Sequence, residues 1–330
     1  MNEHPFAQYV RILGRGKKGS RSLTQEESYA AMRMILNDEV DRVQLGAFLM
    51  LLRVKEESPD ELAGFVAAAR GLLTLPEENF DTLVDWPSYA GKRRQLPWYI
   101  LAALLLAQNE IPVMMHGTRG TKDDRIYAVD AFKALDIPIS HSLKQAAYNI
   151  SAHNFAYAPL EDFCPKLKEI LDLRQLFGLR SPINTLLRLL NPQHAPYMMQ
   201  STFHPGYRQV HQRAALMLGQ PNMAVIKGEG GEAERDPNTD CQVFYVHEAN
   251  KFNEEWPAIF AGKRHLKDKT MNVQRLKAMW SGEINDVYGL AAITGTVAIV
   301  LRMTDKAKNR SQAEKMAEEM WQNRPSSYYP

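Results

Sequence analysis

The sequence predicts an α/β fold with a small all-α domain at its N-terminus, the larger part being a central, mainly parallel sheet flanked by helices. Three observations carry this expectation. Over residues 24–75, apolar residues recur at helical spacing, with capping signals and short breaks between the runs. After Pro76 the texture changes to short apolar segments alternating with helical ones, the order that builds parallel strands covered by helices. The longest apolar run, 98–107, is about half of what a bilayer-spanning helix needs, so no membrane partner is expected.

Each element follows from local chemistry. At 24–36, Ser22 or Thr24 supplies an N-cap, Glu26 and Glu27 favour the positive end of a helix, and Tyr29, Met32 and Leu36 recur on one face. NDEVD breaks the pattern. VQLGAFLMLLR then resumes as a helix apolar nearly all round, expected to be buried on several sides. SPDEL opens the next, with Ser58 as cap, Pro59 in the first turn and Glu61 at the capping-box position. This places an N-terminal helical domain at 1–76 and an α/β domain at 77–330, with helices at about 165–190 packing back on the first. In the second part TLVDW, IPVMMHG, NFAYAP, NMAVIK and CQVFYVHE read as strands. WYILAALLLAQNE reads as a buried helix, and DRIYAVDAFKALDIP, SLKQAAYNISAHN and HPGYRQVHQRAALMLGQ as amphipathic ones. Three further helices close the chain, and the tail RPSSYYP is expected to be poorly ordered.

Composition sets wide bounds. The 330 residues are 45% hydrophobic and 24% charged, with a formal net charge of +2, so local clustering of charge matters more than the total. Cys164 and Cys241 make neither a disulfide framework nor a zinc pattern, and MNEHPFAQYV lacks the basic and apolar regions of a secretory signal. A cytoplasmic location is the expectation. His204, His211 and His247 lack metal-ligand spacing with any acid.

Cations cluster at the places where parallel sheets hold ligands, the carboxyl ends of strands. PSYAGKRRQLPW carries Lys92, Arg93 and Arg94, and MMHGTRGTK carries His116, Arg119 and Lys122. Tyr89, Trp98 and Tyr99 offer faces on which unpaired bases could stack. A glycine-spaced arm holds Arg11, Arg15, Lys17, Lys18 and Arg21, and GKRHLKDKT holds Lys263, Arg264, Lys267 and Lys269.

Several blocks resemble the anthranilate phosphoribosyltransferases, which share their fold with pyrimidine nucleoside phosphorylases. LTQEESYAAMRMILNDEVDRVQLGAFLMLLRVKEESPDELAGF resembles the family's N-terminal helical domain. MHGTRG, FAYAP, GLRSPINTLLRLLNP and HPGYRQVHQRAALMLGQPNMAVIKGEGG then follow in the family's order. The resemblance implies that fold over nearly the whole chain. It also implies a site for phosphoribosyl pyrophosphate, and there this sequence departs from the pattern. The family's GTGGDG cradle aligns with 87–92, where only Gly91 remains, and its NIST segment aligns with 97–100, where Pro97 has no N–H to donate. Met115 and Thr118 replace a lysine and an asparagine, while His116, Gly117 and Arg119 persist. In the arginine block Arg180, Asn184, Asn191 and Pro192 stay in register, but Gly-Pro becomes Leu187-Arg188. The acidic pair that serves magnesium in the family aligns with Ala233 and Glu234, leaving Glu232 and Glu234 as weak metal candidates.

The same departures resemble the YbiB-like branch of this family, and that likeness implies a homodimer, joined through the helical domain, that binds nucleic acid. The expectation is therefore a protein without cofactor or catalytic residues, binding DNA or RNA largely independently of sequence through Lys92, Arg93, Arg94, His116, Arg119, Lys122, Arg15, Lys17, Lys18 and Arg180. The alternative is a phosphoribosyltransferase using phosphoribosyl pyrophosphate and magnesium.

Overall fold

The first helix, α1 (Ala7–Gly14), takes in part of the segment expected to be a flexible arm, because Phe6, Tyr9 and Leu13 find a buried place against Phe48. The structure, a computed structural model, describes residues 3–16, 18–75, 78, 80–120, 124–262 and 267–329. There follow α2 (Gln25–Leu36), α3 (Arg42–Lys55) and α4 (Pro59–Arg70). Thr24 with Glu27 and Ser58 with Glu61 form reciprocal capping boxes at the heads of α2 and α4. Tyr29 is not on the buried face of α2; Ser28, Ala31, Met32, Ile35 and Leu36 define that face, and Tyr29 is 41% exposed. Nor is α3 enclosed: Phe48, Leu49 and Leu52 are buried, but Val43 and Val54 are 80% and 85% exposed. An apolar pattern all round a helix cannot say whether the chain itself supplies enough neighbours to cover it.

α2 and α4 meet so closely that a Cβ on Gly64 would lie 2.3 Å from the Gln25 carbonyl oxygen and 2.6 Å from Ser28 Cβ. Gly64→Ala is expected to lower the free energy of unfolding by about 1–3 kcal/mol through overpacking, read as a fall in the urea midpoint.

The remaining elements alternate. They are β1 (Val84–Ser88), α5 (Tyr99–Gln108), β2 (Val113–Gly117), α6 (Ala128–Ala134), α7 (Leu143–His153), β3 (Phe155–Pro159), α8 (Leu160–Phe163), α9 (Pro165–Asp172), α10 (Arg174–Phe177), α11 (Ile183–Leu186), β4 (Tyr197–Thr202), α12 (Tyr207–Met217), β5 (Asn222–Lys227), β6 (Cys241–His247), β7 (Asn250–Trp256), α13 (Gln274–Ser281), α14 (Val287–Met303) and α15 (Arg310–Gln322). The described residues form one seven-stranded sheet in the order β3-β2-β1-β4-β5-β6-β7. β1 to β5 run parallel, and β6 and β7 add an antiparallel edge.

Pro87 lies inside β1, a central strand, although proline normally avoids such a place. The exception is local: β1 pairs with β4 only at Val84 and Asp85, so the ladder on that side ends before Pro87. β4 and β7 escaped the sequence reading. YMMQST resembles packing material after Pro192 and Pro196, and NKFNEEW is an edge strand whose outward residues are polar.

Side chains alternate across the sheet. Met199, Ala224, Ile226 and Tyr245 join α5 and α14 in one core, while Met198, Met223, Val225 and Val246 join the N-terminal helices and α9–α11 in the other. The sheet thus lies between a buried α5–α14 layer and the helical domain. The C-terminal tail is docked rather than loose: the Trp280 indole N–H donates to the Pro325 carbonyl at 2.9 Å, and Tyr328 and Tyr329 pack on the core. Among the described residues, no helix is long and apolar enough to cross a membrane.

Candidate functional site

All five parallel strands end on one edge of the sheet, and the segments leaving β1, β2, β4 and β5 meet there. After β1 the chain turns at Gly91, whose φ of +66° suits glycine, and Lys92 forms a two-way backbone bridge with Ile126 at 2.8 Å in each direction. This bridge turns the Lys92 side chain inward.

The segment after β5 supplies anions to this turn. Glu232 Oε1 accepts hydrogen bonds from the Ala90 and Gly91 N–H groups, both at 2.6 Å. Glu234 Oε1 accepts from Lys92 Nζ at 2.7 Å, and its Oε2 accepts from the Tyr99 N–H at the start of α5 at 2.8 Å. Two buried carboxylates of the chain itself therefore occupy the backbone donors and the helix end that an outside phosphate would need. Arg125 donates to the Ala90 and Gly91 carbonyls at 3.0 Å, and Arg188 to the Gly231 carbonyl at 2.5 Å, so guanidinium groups brace both loops from behind.

Lys92, expected to reach outward to phosphates, is only 1% exposed. Burial opposes its charge, but Glu234 and Glu229, the latter at 3.6 Å, more than offset this and hold its ammonium above the usual lysine range. Burial raises the Glu234 carboxyl as well, toward its neutral form, yet both its oxygens receive charge-favouring hydrogen bonds, so an ion pair is the consistent state. Glu232 and Glu234 do not suit magnesium as they stand: a cation already sits on Glu234, and Glu232 faces backbone donors. Among the described residues no cluster of three or more His, Cys, Asp or Glu side chains is placed to hold a metal ion.

His116, also expected at the ligand, is fully buried; its Nε2 lies 3.1 Å from Asp85 and its Nδ1 shares a 2.7 Å hydrogen bond with the Tyr89 hydroxyl. It is inward-facing because it alternates with Gly117 on a strand covered on both faces. Arg119 is on the surface but bidentate to Asp162, at 2.8 and 2.5 Å. Tyr89, Trp98 and Tyr99 are buried and cannot stack on a base. Lys17, Lys122, Lys263 and Arg264 lie outside the described residues. Arg11 and Arg21 pair with Glu3 and Glu27, whereas Arg15 and Lys18 are exposed.

Arg93 and Arg94 do face solvent, Arg93 with Asp124 at 3.8 Å and Arg94 without an acidic side-chain partner among the described residues. The structure brings a distant basic group to them. The Asp268 N–H donates to the Arg94 carbonyl at 2.7 Å, and the Leu96 N–H donates to Asp268 Oδ2 at 2.7 Å. Lys267 and Lys269, exposed on either side of buried Asp268, thereby join Arg93 and Arg94 in one patch. An acid between lysines looks in sequence like an interruption of the positive run; here it is the stitch that positions the run.

Arg180 lies apart from this patch in a cavity of ≈ 90 Å³ between the helical domain and the end of β4. Burial, and then Arg188, Arg174 and Arg125, lower its pKa to about 10. A larger cavity, ≈ 550 Å³, opens between α14, α15 and the segment after β7, with Ile259, Leu290, Ala291 and Trp321 among its walls.

Comparison with known proteins agrees with this architecture. Residues 7–72 match the glycosyl transferase family helical bundle domain. The crystal structure of anthranilate phosphoribosyltransferase from Thermus thermophilus superposes with a TM-score of 0.82 at 21% identity, covering 99% of this chain and 95% of that one. The uncharacterized protein YbiB of Escherichia coli is 29% identical over 206 residues, 61% of this chain and 64% of that relative. Anthranilate phosphoribosyltransferase of Ignicoccus hospitalis is 31% identical over 240 residues, 71% of this chain and 69% of that protein. With its helical N-terminal domain, its strand order and this extent of identity, the chain belongs to the anthranilate phosphoribosyltransferase-like family.

Proposed function

We propose that this protein binds nucleic acid without catalysing phosphoribosyl transfer, largely independently of sequence and as a homodimer. The reading rests on one observation, the division of labour within KRR: Lys92 turns inward to neutralise a carboxylate-filled cradle, while Arg93 and Arg94 turn outward beside Lys267 and Lys269. Long cationic side chains on a surface suit a repeating polyanion, which they bind by releasing condensed counterions. Arg15 and Lys18, just beyond α1, are further exposed cations. A second copy of the chain would cover Val43 and Val54, exposed on α3, and would double the number of patches.

The second reading, a phosphoribosyltransferase using phosphoribosyl pyrophosphate and magnesium, is favoured by family membership. It requires Glu232 and Glu234 to leave the cradle. Titration of a labelled oligonucleotide across a salt series separates the two. Affinity is expected to fall linearly in log-log terms, with a slope of about −0.9 for each duplex phosphate neutralised. Phosphoribosyl pyrophosphate with magnesium is expected to leave the melting temperature unchanged. Magnesium-dependent stabilisation by the sugar phosphate, with no oligonucleotide binding, would overturn the proposal.

A further inference from the structure

The cavity at the end of β4 contains polar groups that the folded chain leaves unsatisfied. Asn184 Oδ1 is buried without a hydrogen-bond donor, and Arg180 forms no ion pair among the described residues. Buried polar atoms are ordinarily paired, so an orphan acceptor beside an unpaired guanidinium points to a ligand bearing both an N–H donor and an anion. At the mouth stands Phe203, 51% exposed, the first residue beyond β4, with its ring held edge-on by His204 at a centroid distance of 4.9 Å. No other phenylalanine or tryptophan among the described residues is comparably exposed. The position is the carboxyl end of a parallel strand.

We propose that this cavity receives one unpaired nucleotide of a bound strand: Phe203 stacks on the base, Asn184 accepts an N–H from the base edge, and Arg180 holds the adjacent phosphate. The inference rests on the nucleic-acid reading above and adds a preference to it. At ≈ 90 Å³ the space suits part of a single planar ring. A base in a duplex keeps its faces against its neighbours and its edge against its partner, so only a single strand, a loop or a frayed end can fill the site. The exposed patch of Arg93, Arg94, Lys267 and Lys269 is indifferent to strand form, since it meets only the backbone.

The test measures affinity for labelled oligothymidylate and for a duplex of equal length at one salt concentration. Phe203→Ala and Arg180→Ala are each expected to weaken single-strand binding by roughly tenfold, within the range for loss of one stacked base, and to leave duplex binding within about twofold. Phe203→Trp, which keeps a stacking face, is expected to retain wild-type single-strand affinity. If the alanine variants lower both affinities equally, or neither, the pocket assignment is wrong while the nucleic-acid reading stands. If the wild-type protein binds neither oligonucleotide, both fail.

Discussion

Reversing the two outward cations together, Arg93→Glu with Arg94→Glu, is expected to weaken DNA binding by roughly a hundredfold at moderate salt and to leave the melting temperature unchanged. Both side chains are exposed, and the one ion pair lost among the described residues, Arg93 with Asp124 at 3.8 Å, joins half-exposed groups whose contribution to stability is small. The salt slope is expected to shrink by about two, one for each phosphate contact removed. Lys267→Glu with Lys269→Glu should move affinity in the same direction, because Asp268 holds these lysines against the Arg94 backbone. An unchanged salt slope in the Arg93, Arg94 variant would place the interface elsewhere.

Lys92→Met is expected to do the opposite: to destabilise the fold by about 3–5 kcal/mol while the folded protein keeps its affinity for DNA. The change removes the ammonium 2.7 Å from Glu234 and leaves a carboxylate, 2% exposed, with only the Tyr99 N–H to compensate it. Breaking a buried pair from one side is costly; replacing both members by apolar groups of similar size is often neutral. Lys92→Met combined with Glu234→Leu should therefore recover most of the loss, and urea denaturation of the four proteins measures the coupling. A loss in the double variant equal to the sum of the two single losses would mean that the two side chains do not act as a pair.

These two outcomes divide three neighbouring residues that look alike in sequence, and they show what kind of information the sequence contains. Much of what is settled within a few residues was legible: the capping box at Ser58, the buried α5, the strands ending at Gly117 and Pro159, the turn at Gly91. These depend on hydrogen bonds and apolar periodicity inside one segment. The motif departures at 87–92 and 232–234 were legible too, since they are substitutions at known places in a family pattern.

The partners were not legible. The filled cradle joins Ala90 and Gly91 to Glu232 across about 140 residues, and the basic patch joins Arg94 and Leu96 to Asp268 across more than that. Pairings so distant depend on which strand ends the sheet order β2-β1-β4-β5 brings side by side, a consequence of the whole topology. For the same reason His116 could be named as a persistent residue but not placed inside the core against Asp85, and Phe203 carried no signal until β4 put it at a cavity mouth. The order of residues was enough for the fold family and for the loss of the glycine-rich cradle, because both are local patterns. It took the packed molecule to reveal that the chain's own carboxylates fill the space and that, of Lys92, Arg93 and Arg94, one cation faces in and two face out. Charge sign is a property of a residue, whereas exposure and neutralisation are properties of what folds against it.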